Sequence, residues 1–290
     1  MKIEINEIKK IKNKKEKILL LEKVKEEPKE IKLGCFLDPV DDRDFLLKNI
    51  IDVPVTTSQI DYTSQMSPVK NQGNLGSCVG FAINAVLEYQ QQIEYLNNIK
   101  NGSRYRRNKP HYNLSEQWTY WKTKYIDPWG PSIDGTSIRY GLKIVNKRGV
   151  PPEHGWPYNE NEIGKPAFWA YSVSRWNRNK KYYRINNLHE LKEALLTVGP
   201  VIGGVLTFLE FFYPDAEGYI KYPQIQNYFY GGHAISIVGF DDLKQRVKFK
   251  NSWGKGWGNN GYGYLSYKYL EDFLIDCWAT IDLTNISSLW

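Results

Sequence analysis

Pro68-Val69-Lys70-Asn71-Gln72-Gly73-Asn74-Leu75-Gly76-Ser77-Cys78-Val79-Gly80-Phe81-Ala82 joins a turn-rich loop to a helix that begins with a cysteine. Val79, Ile83, Val86, Leu87 and Ile93 recur at helical spacing, which predicts a long core helix over 78–96. A helix N-terminus presents unpaired backbone N–H groups and a partial positive charge. A thiol there is favoured as a thiolate with a lowered pKa, so Cys78 is a candidate nucleophile. A lone cysteine is more often a small, inert, buried residue, and position alone leaves both readings open.

Working outward, further helices are expected at 115–126, at 136–148 (closed by Gly149 and then Pro151-Pro152) and from Leu188 to Thr197. After that the texture changes. Residues 200–206, 217–223, 233–240, 246–251 and 261–267 are short runs rich in β-branched and aromatic residues, set off by Gly, Asp and Asn. Helices in the first half and strands in the second predict an α+β architecture. With 290 residues, 41% hydrophobic and 14% aromatic, the chain is neither disordered nor fibrous. No apolar run approaches the roughly 20 residues that span a bilayer, so no membrane partner is expected. The net charge of +7 is modest, and a nucleic-acid partner is not expected from it. Two basic stretches, Arg104 to Lys109 and Arg175 to Lys181, read as solvated loops, with a polyanion site as the alternative.

Three residues sharpen the reading of Cys78. Gln72 lies six positions upstream, where its amide can donate to an oxyanion beside the Cys78 N–H. His233, in Gly231-Gly232-His233-Ala234-Ile235-Ser236, starts an apolar strand and is expected to point into a cleft. Asn251 follows 18 residues later, on a strand that can pair with the first as a hairpin, so its amide oxygen can orient the imidazole.

Together these blocks resemble the papain-like cysteine peptidase family. The resemblance runs over roughly 61–270. It takes in Pro68 to Gly73 with Gly76-Ser77-Cys78, then Asn113-Leu114-Ser115-Glu116-Gln117, then Asp134-Gly135. Gly149-Val150 through Trp156-Pro157-Tyr158 and Gly199-Pro200-Val201 follow in order. Asn251-Ser252-Trp253-Gly254-Lys255-Gly256-Trp257-Gly258-Asn259-Asn260-Gly261-Tyr262-Gly263 is the most specific block. The resemblance implies a two-subdomain fold: a helical left subdomain, a β-barrel-like right subdomain, and the active site in the cleft between them. It implies catalytic Cys78, His233, Asn251 and Gln72. Asp134, Gly135, Ser77 and Trp253 are implied at the substrate. It implies a protein or peptide substrate and neither metal nor organic cofactor. The same residues also serve acyl or amide transfer and deamidation, and a silent binding protein on this fold is a further alternative.

Departures from the family pattern are informative. Leu75 stands where the family signature has a cysteine, and Val79 where an aromatic usually follows the nucleophile. The histidine and asparagine lie 155 and 173 residues beyond Cys78, against roughly 130–150 in the family, which implies longer loops. Only Cys35 and Cys277 remain besides Cys78, so no disulfide framework is expected. With no recognisable signal peptide, the expected location is the cytoplasm or another reducing compartment.

Residues 1–60 are expected to be a propeptide-like or accessory segment, and 61–290 the peptidase domain. Residues 1–32 hold eleven lysines and seven glutamates around a broken helical pattern. Residues 33–58 could lie in or beside the cleft and inhibit, making the segment the chain's own partner. They could instead strap the back of the body through Phe36, Leu37, Phe45, Leu46 and Leu47.

Overall fold

The computed structural model describes residues 33–39, 41–51, 53–100, 113–224 and 229–281. The expected helix within 1–32 and the basic stretch Arg104 to Lys109 lie outside these residues.

The cysteine-led helix forms as α1, Cys78–Lys100, and runs beyond the expected end. α2 (Glu116–Lys124) starts where the Ser115 side chain accepts a hydrogen bond from the Trp118 N–H. A hydroxyl at that position satisfies one of the free N–H groups of the first turn. α3 (Ile138–Arg148) is shorter than expected, because Thr136–Ser137 are instead a short strand, β3. These three helices make one lobe. Trp118 and Tyr120 are fully buried within it, beside Ile83 of α1 and Leu142 of α3.

The second lobe is a twisted antiparallel sheet. Its strands are β4 (Lys181–Arg184), β5 (Val201–Phe208), β6 (Phe229–Asp241), β7 (Arg246–Lys250), β8 (Tyr262–Ser266) and β9 (Leu274–Ile281). Their order is β4-β9-β5-β6-β7-β8, and β2 (Gln59–Asp61) adds to β6. β6 and β7 form the expected hairpin, in register Ser236↔Lys250. Helix α5 (Leu188–Thr197) packs against the sheet after the one-turn α4 (Ala170–Val173); α6 (Leu209–Phe212) and α7 (Tyr267–Phe273) complete the helices. The strand expected at 217–223 is absent. Gly218 and Pro223 interrupt the run, and only Tyr219 bridges to Tyr264 of β8. β4 and β9, unexpected from the sequence, close the far side of the sheet. The basic stretch at 175–181 feeds β4. Its lysines and arginines are exposed, but Asn177 and Asn179 are buried.

The lobes are pinned together through polar groups. Ser236 donates to the Ala82 carbonyl at 3.1 Å, and Gln90 to the Thr280 carbonyl at 2.6 Å. Beneath them, Lys70 pairs with Glu88 of α1 at 2.8 Å and Glu116 of α2 at 2.5 Å. Ser67 bonds Glu88 and accepts from Lys250 at 2.9 Å. This network ties the loop before Gln72 to the strand end before Asn251. Buried charges of this kind are tolerated only when paired, so the network fixes its members in place.

β1 (Cys35–Phe36) lies between the lobes and pairs in parallel with β3. Residues 33–36 therefore run in the cleft, not over the back of the body. Of the apolar anchors expected there, Leu47 is buried but Phe45 is 68% exposed.

Candidate active site

Cys78 is the first residue of α1, and His233 is the fifth of β6, opposite Val205 of β5. Asn251 follows the last residue of β7. The sheet and helix bring the three together. His233 Nε2 lies 2.7 Å from Asn251 Oδ1, and the N–H of Ala234 points at Cys78 Sγ from 3.4 Å. The Gly34 and Val79 N–H groups also face this sulfur. Trp253 lies over the imidazole, ring centroids 4.6 Å apart, and Phe211 meets its edge at 5.7 Å. Phe212 stacks on Trp253 at 5.4 Å. This aromatic wall screens the His233–Asn251 bond from water.

Gln72 is fully buried. Its Nε2 donates to the Leu75 carbonyl at 2.9 Å, and its Oε1 accepts from Ser252 Oγ at 2.6 Å. Tyr158, quoted in the sequence only as part of a block, has a clear place. Its hydroxyl donates to the Gln72 carbonyl at 2.7 Å and lies 2.7 Å from Ser77 Oγ. Ser77 is fully buried in that contact. Asp134 Oδ1 accepts from the Gly76 N–H at 2.9 Å and the Tyr120 hydroxyl at 2.8 Å. The Gly135 carbonyl is held by Lys124 Nζ at 2.7 Å, itself paired with Asp127 and fully buried. Asp134 and Gly135 thus line the cleft, and the Asp134 carboxylate is turned to the loop before Cys78.

Burial overrides the expected effect of the helix N-terminus. Desolvation pushes the Cys78 thiol up to about 11, against the opposing pull of the Ala234, Gly34 and Val79 N–H groups. Desolvation also pushes His233 down to about 4, despite its bond to Asn251. Burial thus favours the neutral form of each group. Cys35, Cys78 and Cys277 are all buried free thiols. Among the described residues, no three His, Cys, Asp or Glu side chains gather as a metal-ligating group, and no helix is long and apolar enough to cross a membrane.

What covers the site is residues 33–36. The Gly34 carbonyl accepts from the Thr136 N–H at 2.8 Å. A Cβ on Gly34 would lie 2.0 Å from the Gly76 carbonyl oxygen, and one on Gly232 would lie 2.1 Å from that of Cys35. Only glycine permits such backbone approach. The Cys35 side chain sits against Gly204, near Ile138 and Ile275.

Two lobes, a cleft, and a thiol, an imidazole and an amide meeting within it define a cysteine-type peptidase. The family model for papain family cysteine proteases matches residues 56–276, and the chain belongs to that family. An uncharacterized peptidase C1-like protein of Acanthamoeba polyphaga mimivirus is 30% identical over 272 residues, covering 89% of this chain and 80% of that protein. The viral cathepsin of Choristoneura fumiferana nuclear polyhedrosis virus is 27% identical, over 77% of this chain and 64% of its own length. The chain spans 42% of the gamete and mating-type specific protein A of Dictyostelium discoideum, at 27% identity over 71% of this chain. Among solved structures, xylellain, a cysteine protease from Xylella fastidiosa, has the same fold with a TM-score of 0.73 at 24% identity, covering 87% of this chain and 96% of that one. Digestive procathepsin L 3 of Tenebrio molitor superposes with a TM-score of 0.56 at 19% identity, covering 93% and 80%.

Proposed function

We propose that this chain is an endopeptidase that acts through Cys78, His233, Asn251 and Gln72 and is held dormant by its own residues 33–51. The observation that carries the reading is the convergence on one sulfur. His233 is oriented by Asn251 at 2.7 Å, the following N–H meets Cys78 at 3.4 Å, and the Gly34 backbone covers the same atom.

In this reading the covering segment keeps the thiol and imidazole neutral by excluding water. Its departure rehydrates both, and the proton passes from Cys78 to His233. The thiolate attacks the scissile carbonyl, and His233 protonates the leaving amine. Gln72 Nε2 and the Cys78 N–H receive the developing oxyanion. Asn251 holds the ring, and water then releases the acyl group. Asp134, Gly135, Ser77 and Trp253 shape the cleft. The three buried free thiols are in keeping with a reducing compartment such as the cytoplasm.

The test uses the full chain with a site-specific protease sequence inserted after Pro54, in an exposed stretch. Cleavage of a diverse peptide library is followed before and after cutting, beside Cys78→Ala. Activity is expected only in the cut parent. Full activity in Cys78→Ala overturns the peptidase reading, and equal activity in the uncut chain overturns the dormant state.

A further inference from the structure

Beyond Phe36 the covering segment carries Asp38-Pro39-Val40-Asp41-Asp42-Arg43-Asp44, four aspartates against one arginine. The face beneath has the opposite balance. Ser137 donates to Asp38, the Arg139 N–H donates to the same carboxylate at 3.0 Å, and the Asp38 N–H donates to Asp276 at 2.8 Å. Asp44 is gripped by the Arg139 guanidinium at 2.5 Å and by Arg184 Nε at 3.0 Å. Arg139 and Arg184 both lie over the Trp278 ring, 5.6 and 4.4 Å from its centroid, and Arg184 also pairs with Asp276. Beside them a cavity of about 370 Å³ is lined by Arg139, Lys143, Lys180 and Lys181, with the segment's Asp41 and Asp44 at its mouth.

Without the segment, this face keeps the two guanidiniums, a hydroxyl and a helix-terminal N–H, with Asp276 against Arg184. Lys143, Lys180 and Lys181 extend the positive field outward. Groups of this kind, rigid and partly desolvated, select carboxylates strongly. The position relative to the chemistry is fixed by the chain itself. Gly34 lies on Cys78 and Asp38, at the near edge of this face, is four residues further on, so a chain leaving the reacting bond meets the face after about four extended residues.

Resting on the reading above, we propose that this basic face is a docking site for an acidic segment of the protein substrate, and that Asp44, held by Arg139 and Arg184, occupies it until the covering segment is cut. The enzyme then favours substrates with clustered aspartates or glutamates a few residues from the cleaved bond. The segment and the substrate compete for the same groups.

The test is a binding measurement and does not depend on turnover. The full chain carrying Cys78→Ala and the inserted site after Pro54 is folded, cut, and freed of the segment by gel filtration in about 1 M sodium chloride. Fluorescein-labelled peptides with an apolar centre, bearing four aspartates or four asparagines at one end or the other, are then titrated at about 50 mM salt. An acidic peptide should bind at least about tenfold tighter than its amide counterpart, and the advantage should shrink as salt rises. Lys180→Glu with Lys181→Glu, both at exposed positions, should remove most of the advantage without touching the fold, and Arg184→Gln should do so more completely. Equal binding of acidic and amide peptides overturns the proposal, as does an advantage indifferent to the charge reversals. Retention of the cut segment in high salt also overturns it, since apolar burial would then be what holds the face. An acidic peptide that binds here but is not cleaved by the cut parent enzyme speaks against the peptidase reading alone.

Discussion

Asp134 Oδ1 accepts a hydrogen bond from the backbone N–H of Gly76 at 2.9 Å, which joins the cleft wall to the loop that delivers Cys78. The same oxygen receives the Tyr120 hydroxyl, so three segments distant in sequence meet on one carboxylate. Leu75 stands where family members have a cysteine, and here the loop and the wall are joined by charge instead of sulfur.

Asp134→Ala removes both bonds and leaves the largely buried Tyr120 hydroxyl without its acceptor. Hydrogen bonds to charged groups contribute about 1.5–3 kcal/mol each, so a loss of about 3–6 kcal/mol is expected. In a chain of this size that lowers Tm by roughly 5–10 °C, and Asp134→Asn should recover part of it. Thermal unfolding followed by circular dichroism checks this; an unchanged Tm would show that the contact contributes nothing.

Ser252→Ala removes one of the bonds that orient the Gln72 amide, whose Oε1 accepts from Ser252 at 2.6 Å. The expected result is a fall in kcat of about 5–30-fold with KM nearly unchanged, since the amide acts on the transition state. Gln72→Ala should cost about 2–4 kcal/mol of transition-state stabilisation. Adding Ser252→Ala to Gln72→Ala should cost nothing more, because one residue acts through the other. Additive losses in this double-mutant cycle would contradict the arrangement.

Gly34→Ala tests the cover over the sulfur. Its methyl would meet the Gly76 carbonyl oxygen at 2.0 Å, a backbone atom that cannot swing aside. The segment must lift, water must reach Cys78, and the thiol should react with iodoacetamide at least about tenfold faster than in the parent. Unchanged alkylation would mean that Gly34 does not seal the site.

The docking of the segment should weaken as pH rises. Burial, and then the neighbouring Asp276, push Asp38 up to about 7 from 3.8, while bonds from Ser137 and Arg139 oppose this. A carboxyl whose pKa is higher when docked than when free holds its proton better when docked. Its contribution is complete below the free value and is lost as pH climbs through about 7. Protection of residues 33–39 against hydrogen exchange, relative to the intrinsic rate at each pH, should therefore be higher at pH 5 than at pH 8. Asp38→Asn should flatten that difference, and lower protection at pH 5 would reverse the sign and refute the account.

Much of the site was legible along the chain because its parts are local. The Cys78 helix follows from apolar spacing, and the hairpin joining His233 to Asn251 follows from two apolar runs separated by Asp241-Asp242 and Lys244-Gln245. Strand β9 was not legible. Ile275 to Ile281 are buried along almost their whole length, so the alternation that marks a half-exposed strand is missing. The run at 217–223 misled for a different reason: Ile220 is buried and Tyr219 and Tyr222 half-buried, but the run makes a single bridge, Tyr219 to Tyr264, in place of a ladder.

The sequence alone determined the class of protein, since the blocks around Cys78, His233 and Asn251 carry the pattern of the papain family cysteine proteases. Tertiary structure alone decided their state. Cys78 at a helix N-terminus reads as a thiolate, yet burial pushes its thiol up, against the N–H groups of Ala234, Gly34 and Val79. Desolvation depends on what comes to lie across a group in space, and a helix terminus supplies about half a unit charge against it. The same holds for the aspartates of the covering segment. Their stretch reads as an extended, ordered connector, and only the fold sets Asp44 on Arg139 and Arg184, because the β4–β9 pairing puts Arg184 opposite Trp278 while α3 brings Arg139 to the same ring.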